Sequence, residues 1–204
     1  MINKKIYIEA GASDGVCGSR SLKFKDDDSF FGILVEPTQD SYQHCVSNRK
    51  NNNTAIYNCA LVPFAYTEST ISLFYSDIHP GMNLTSKSNR YEQLKPQLYC
   101  NNRYEIVPAR TLQSILDEHD ITEIEYFYLD VEGAEKEVLQ GIDLNRVKIN
   151  NIEIENHYSP LGTLHGIMTP EEEAKIYLEF FNGTMEFVDF NDDGQLHMSF
   201  KIKQ

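Results

Sequence analysis

A doubly wound α/β fold is what this sequence predicts: a mostly parallel sheet, helices on both of its faces, and an antiparallel hairpin at the C-terminal end. Three observations carry that prediction. Short apolar runs such as Ile6–Ala10, Phe31–Val35, Glu125–Leu129 and Ile149–Ile154 alternate with helical segments, the pattern of a parallel sheet. Several of these runs end on glycines or acidic residues, at the strand ends where open α/β sheets hold their ligands. The last two extended runs, Met185–Phe190 and Leu196–Lys201, flank the turn Asn191-Asp192-Asp193-Gly194, a hairpin signal.

Taken in order, Ile6–Ala10 reads as a buried strand ending in a glycine-bearing turn, and Ser19–Lys25 as a helix. Phe31–Val35 is a second strand closed by Glu36-Pro37. The fixed φ of Pro37 suits the start of a helix running from about Thr38 to Arg49. Asn51-Asn52-Asn53 is a turn, Ala55–Asn58 a third strand and Ile71–Phe74 a further extended piece. Ser76–Asn102 is polar and aperiodic and carries Pro80-Gly81, so it is expected to form a long loop or a substrate lid. Ile106–Pro108 is a short strand, and Thr111 caps a helix reaching Glu118. Glu125–Leu129 ends at Asp130; Gly133–Gln140 is a helix stopped by Gly141; Ile149–Ile154 ends at Glu155. Thr169, Pro170 and Glu172 spell a capping box for a helix to about Phe181.

The 204 residues suit one domain over residues 1–204, with 41% hydrophobic and 24% charged residues, ordinary for a globular chain. A net charge of −13 with no basic run argues against nucleic acid and against anionic membrane surfaces. No stretch approaches the roughly 18 apolar residues of a membrane span. Met1-Ile2-Asn3-Lys4-Lys5 leads into a strand and not into a signal sequence, so the cytoplasm is the expected compartment and the sequons at Asn52, Asn83 and Asn182 read as chance matches. Cys17, Cys45, Cys59 and Cys100 form no Cys-x-x-Cys pair and are read as reduced thiols in packing roles.

Four constellations carry chemistry. In Glu9-Ala-Gly11-Ala12-Ser-Asp14-Gly15, glycines let the backbone turn and approach a ligand without a Cβ in the way. The spacing Gly11-x-x-x-Gly15-x-x-Gly18 does not fit the dinucleotide fingerprint. Glu36, about 21 residues beyond Gly15, is placed to accept two hydrogen bonds from vicinal ribose hydroxyls. Asp130-Val-Glu132-Gly133-Ala-Glu135 puts a carboxylate on the same rim, with Glu132 and Glu135 expected in the first helical turn. Glu153-Ile-Glu155-Asn156-His157 adds two carboxylates on one strand face, followed by a histidine. This set suits a divalent cation or a general base. His44, His79, His119, His165 and His197 have no companion pattern and receive no role.

These residues, together with Asn48-Arg49, Val107-Pro-Ala-Arg-Thr-Leu112 and Val138-Leu139, resemble the FkbM-type methyltransferases from about residue 6 to residue 157. Asp130–Glu135 is the most specific part of the resemblance, and Glu9 stands where many members carry Asp. The resemblance implies a Rossmann-like class I methyltransferase fold and S-adenosylmethionine-dependent O-methylation, often of sugar or polyketide hydroxyls, with a sugar in a glycan as the expected acceptor. It implies cofactor contacts from Glu9, Gly11, Ala12, Asp14, Gly15, Ser19, Glu36, Pro37, Ala60 and Asp130. Asp130 and His157 are the candidate proton acceptors, and Asp130 with Glu155 the candidate ligands of Mg²⁺ or Mn²⁺. Tyr75, Asn83, Tyr91 and Asn101 are candidate glycan contacts. The rival readings are a polyketide or lipid hydroxyl as acceptor, an inactive binding module of the same fold, and an NAD oxidoreductase, which the glycine spacing disfavours.

Overall fold

The computed structural model describes residues 4–76, 83–85, 103–156, 169–191 and 197–203. Among these residues the main sheet has seven strands, drawn from two stretches of sequence. The first block is β1 (Lys5–Ala10), β2 (Phe30–Val35) and β3 (Thr54–Tyr57). Next come β4 (Ala60–Leu61), β5 (Thr70–Tyr75), β6 (Asn83–Thr85) and β7 (Tyr104–Arg110), which form a separate four-stranded sheet in the order β4-β7-β5-β6. The chain then returns with β8 (Glu123–Leu129) and β9 (Lys148–Glu155) and finishes with β10 (Met185–Asn191) and β11 (His197–Ile202). The main order is β10-β11-β9-β8-β1-β2-β3. The five strands from β3 to β9 are parallel, and β11 and β10 join antiparallel. The chain therefore leaves β1 in one direction to β2 and β3, and later resumes on its other flank with β8. A ligand crevice opens at such a switch point.

Strand alternation divides the core. Ile6, Ile8 and Ala10 of β1, Ile33 and Val35 of β2, and Ile152 and Ile154 of β9 share one face. There they pack with Leu112, Ile115 and Leu116 of α2 (Leu112–Glu118), Val138 and Leu139 of α3 (Glu135–Leu139), and Ala174 and Tyr177 of α4 (Pro170–Phe180). The opposite face holds a smaller aromatic group in which Tyr7, Phe24, Phe30 and Tyr126 meet, with Cys45 of α1 (Gln39–Arg49). Each fully buried Ile or Leu contributes roughly 1.5–3 kcal/mol, so the large face dominates stability. The thiols of Cys45 and Cys59 are buried and pushed up to about 12 by desolvation, which leaves them as packing groups. Among the described residues no helix is long and apolar enough to cross a membrane.

The boundaries differ from the expected ones where side chains compete with helix formation. The expected helix Ser19–Lys25 shrinks to a single 3₁₀ turn, Leu22–Phe24, because Ser19, Arg20 and Ser21 turn their groups toward Glu9. The expected Gly133–Gln140 helix begins only at Glu135, since Glu132 and Gly133 have φ of +57° and +94°. The capping box at Thr169 and Glu172 is formed as expected, and so is the Thr111 cap. Within the expected Ser76–Asn102 loop, Asn83–Thr85 pairs with β5 as a strand; the rest of that segment apart from Ser76 lies outside the described residues.

Candidate active site

At the C-terminal ends of β1, β2 and β8 lies a cavity of about 380 Å³, within the usual range for small-molecule sites. Glu9, Gly11, Ala12, Ser19, Glu36, Pro37, Ala60 and Asp130 all reach its wall. Asp14 and Gly15 are not part of that wall. Asp14 instead accepts hydrogen bonds from the backbone N–H groups of Val16 and Cys17, both at 2.8 Å, and so holds the turn. His157 lies outside the described residues.

The glycine turn is shaped by two close approaches. Gly11 has φ +83°, and a Cβ there would stand 1.7 Å from the carbonyl oxygen of Asp130, so only glycine lets β1 and β8 close at the crevice. Gly15 has φ +76°, and its missing Cβ makes room for the stem of Arg49, whose Cγ would be 2.5 Å away. Arg49 is 1% exposed. It donates to the carbonyl of Gly15 at 2.7 Å, to Ser19 Oγ at 2.8 Å and to Ser21 Oγ at 2.9 Å, and stands 3.9 Å from Glu9. Glu9 in turn accepts from Ser19 Oγ, Ser21 Oγ and the Arg20 N–H at 2.6–2.8 Å. Glu9 was expected among the cofactor contacts. The structure gives it a further task, that of anchoring residues 19–21 around a buried ion pair.

Glu36 is 6% exposed. One carboxylate oxygen accepts from the Ser13 N–H at 2.9 Å, which ties the glycine turn to the end of β2. The other accepts from the Thr38 N–H at 2.9 Å and the Thr38 hydroxyl at 2.7 Å. A carboxylate has about four acceptor sites, so capacity for a ligand hydroxyl remains. Burial raises its pKa above the usual carboxylate value, the bonds from Thr38 and Ser13 oppose that shift, and nearby Glu105 adds to it. The sign follows. A raised pKa means that acidification removes the acceptor early, so a ligand held through a hydroxyl on Glu36 is expected to bind more weakly as pH drops toward, and before it reaches, the ordinary carboxylate value of about 4.3. Calorimetry with adenosylhomocysteine across this range checks it, and Glu36→Gln is expected to flatten the dependence. A wild-type affinity independent of pH overturns the assignment.

The opposite rim is acidic. Asp130, with 43% of its side chain exposed, faces the cavity. Glu132 and Glu155 join it, with one oxygen from each of the three carboxylates all within 4.8 Å of one another. Glu132 was expected inside a helix. Its left-handed backbone instead turns it onto the rim, a conformation that costs a non-glycine residue about 1–3 kcal/mol. Glu135 is buried and accepts from the N–H groups of Val131 and Gly133 at 3.1 and 3.0 Å, which holds the loop in that shape.

The residue that sequence reading missed is His197. It lies on β11 opposite Glu155, is 3% exposed, reaches the cavity wall and has its Nε2 3.8 Å from an Asp130 oxygen. Nothing local marks it, because its place depends on an antiparallel pairing of strands about 40 residues apart in sequence. The signal available was its position as the first residue of the second hairpin strand. Arg20 was missed as well. It bonds Glu153 at 2.8 Å and lines the cavity beside the glycine turn.

The family model of the methyltransferase FkbM domain matches residues 9–180. Among solved structures the chain is similar to a methyltransferase FkbM from Methylobacillus flagellatus, at 12% identity and a TM-score of 0.52. The overlay covers 98% of this chain and 44% of that one, so the chain spans less than half the length of that relative. It also overlays on a precorrin-6y C5,15-methyltransferase from Geobacter metallireducens, at 8% identity and TM-score 0.46, over 100% of this chain and 82% of that one. A third overlay is on Aeropyrum pernix fibrillarin with bound S-adenosyl-L-methionine, at 12% identity and TM-score 0.47, over 98% and 66% of the two chains. No curated protein matches the sequence at a significant level. With the strand order and the match over residues 9–180 together, the chain has the Rossmann-like class I methyltransferase fold and belongs to the FkbM methyltransferase family.

Proposed function

We propose that residues 1–204 act as a single S-adenosylmethionine-dependent O-methyltransferase domain whose acceptor is a hydroxyl of a sugar in a glycan. The observation that carries this reading is the pairing of Glu36 and Asp130 across one cavity at the switch point. Glu36 keeps one acceptor position for a ribose hydroxyl, and Cys59, Ala60, Leu61 and Leu73 give an apolar wall for the adenine ring. The sulfonium supplies an already activated methyl group, so the chain's work is alignment and proton removal. As the C–O bond forms and the C–S bond breaks, the hydroxyl proton passes to Asp130, leaving a methyl ether and adenosylhomocysteine. His197 holds its Nε2 3.8 Å from an Asp130 oxygen on the same rim.

An acidic rim of hydrogen-bond acceptors suits vicinal sugar hydroxyls better than the apolar body of a lipid. The same three carboxylates offer the hard oxygen donors that Mg²⁺ or Mn²⁺ prefers, and a cation there would lower the pKa of a bound hydroxyl. Calorimetry with adenosylhomocysteine tests the cofactor, and a glycan panel incubated with methyl-labelled S-adenosylmethionine, with and without chelator, tests the acceptor. No binding at millimolar adenosylhomocysteine sinks the reading in favour of an inactive module. Label appearing only in non-sugar acceptors sinks the glycan.

A further inference from the structure

Tyr128 lies on β8, two positions before Asp130. In the register of the sheet it lies between Glu9 of β1 and Glu153 of β9. It is 3% exposed and lines the cavity, yet its hydroxyl finds no hydrogen-bond partner among the described residues. Buried hydroxyls are almost always partnered, so an orphan at a cavity wall points to a group that arrives from outside the chain. The ring cannot swing away to find another partner. It is stacked on Tyr126 at an interplanar angle of 7°, and the Lys23 ammonium sits 5.4 Å from its centroid.

The surroundings define what that group is. Glu9 is matched by Arg49, and Glu153 by Arg20. Two ion pairs therefore bracket the hydroxyl, and their charges cancel. A lone anion would meet two carboxylates here and a lone cation two guanidinium groups. A zwitterion, with one charge of each sign, suits both pairs. Burial raises the phenol pKa, and the Glu153 and Glu9 charges add to that, so the group stays a neutral hydroxyl able to donate to a carboxylate or accept from an ammonium. Glu36 stands on the β2 side of the same cavity. The ligand therefore needs a ribose to reach Glu36 and an α-amino acid to reach Tyr128.

We propose that the Tyr128 hydroxyl is the hydrogen-bonding contact for the α-amino-acid end of S-adenosylmethionine, and so a determinant of selectivity for the whole cofactor over its nucleoside part. This rests on the reading of the cavity as the adenosylmethionine site. The test is Tyr128→Phe, which keeps the ring and its stacking and deletes one oxygen. Adenosylhomocysteine carries the amino-acid end, and methylthioadenosine lacks it. The variant is expected to bind adenosylhomocysteine about tenfold more weakly, the size of one hydrogen bond to a charged group, and methylthioadenosine as wild type does. Its melting temperature without ligand is expected to equal or exceed that of wild type, because the lost hydroxyl has no partner to lose. Unchanged affinity for adenosylhomocysteine overturns the proposal and leaves the cofactor site standing. Equal weakening toward both ligands, or a fall in melting temperature, makes the hydroxyl structural and overturns it too. Wild-type protein that binds neither ligand removes the cofactor reading itself.

Discussion

Asp130→Asn is expected to slow methyl transfer by about 10²- to 10⁴-fold, the span a positioned general base contributes, and to leave the fold intact. The substitution keeps shape and removes the basic oxygen. With 43% of the side chain exposed, Asp130 holds no part of the core, so a melting temperature close to wild type is expected. Adenosylhomocysteine affinity should fall by no more than the loss of one contact, because Glu36, the glycine turn and the apolar wall are untouched. Turnover on the acceptor found in the glycan panel, read beside calorimetry on the same protein, separates chemistry from binding. If the variant turns over within a few-fold of wild type, the proton goes elsewhere, and His197 becomes the candidate, since it is the buried cavity-wall base beside Asp130.

Asp130 was legible in the sequence because two local signals coincide there: an apolar run that ends, and small residues that follow it. The same is true of Gly11 and Glu36. Each sits where a strand stops, and strand periodicity is a short-range property that a single chain displays openly. The antiparallel hairpin was legible for the same reason. What the sequence concealed depends on distant partners. Residues 19–25 have helix-compatible spacing, but Ser19, Arg20 and Ser21 bond a carboxylate ten or more positions earlier, and that competition cuts the helix to one turn. Glu132 carries no mark of its left-handed backbone, which is held by Glu135 reaching back to two loop N–H groups. His197 enters the site only through its pairing with Glu155. Glu9 shows the limit from the other side. Its acidity marked it in the sequence as a candidate, while the cation it meets in the structure is Arg49, far along the chain and itself visible in sequence only as part of the family resemblance.

That ion pair carries the largest expected effect on stability. Arg49→Met is expected to destabilise the fold by about 3–5 kcal/mol, the usual result of leaving a buried charge uncompensated. The cause is specific. Glu9 is 5% exposed and would keep its hydrogen bonds from residues 19–21 but lose the Arg49 cation 3.9 Å away. The Gly15 carbonyl and Ser21 would lose donors at the same moment. Adding Glu9→Gln to Arg49→Met removes the stranded charge and should recover part of the loss, with a coupling of about 0.5–3 kcal/mol between the two sites. Urea unfolding of the two single variants and the double variant measures that coupling. Strict additivity would mean that Arg49 acts through its hydrogen bonds to the turn and not through the charge of Glu9. Either way the cofactor cavity is affected, since residues 19 and 20 form part of its wall and are held there by Glu9. An Arg49→Met protein kept folded at low temperature should therefore bind adenosylhomocysteine more weakly than wild type. The shape of the glycine turn depends on the buried pair behind it.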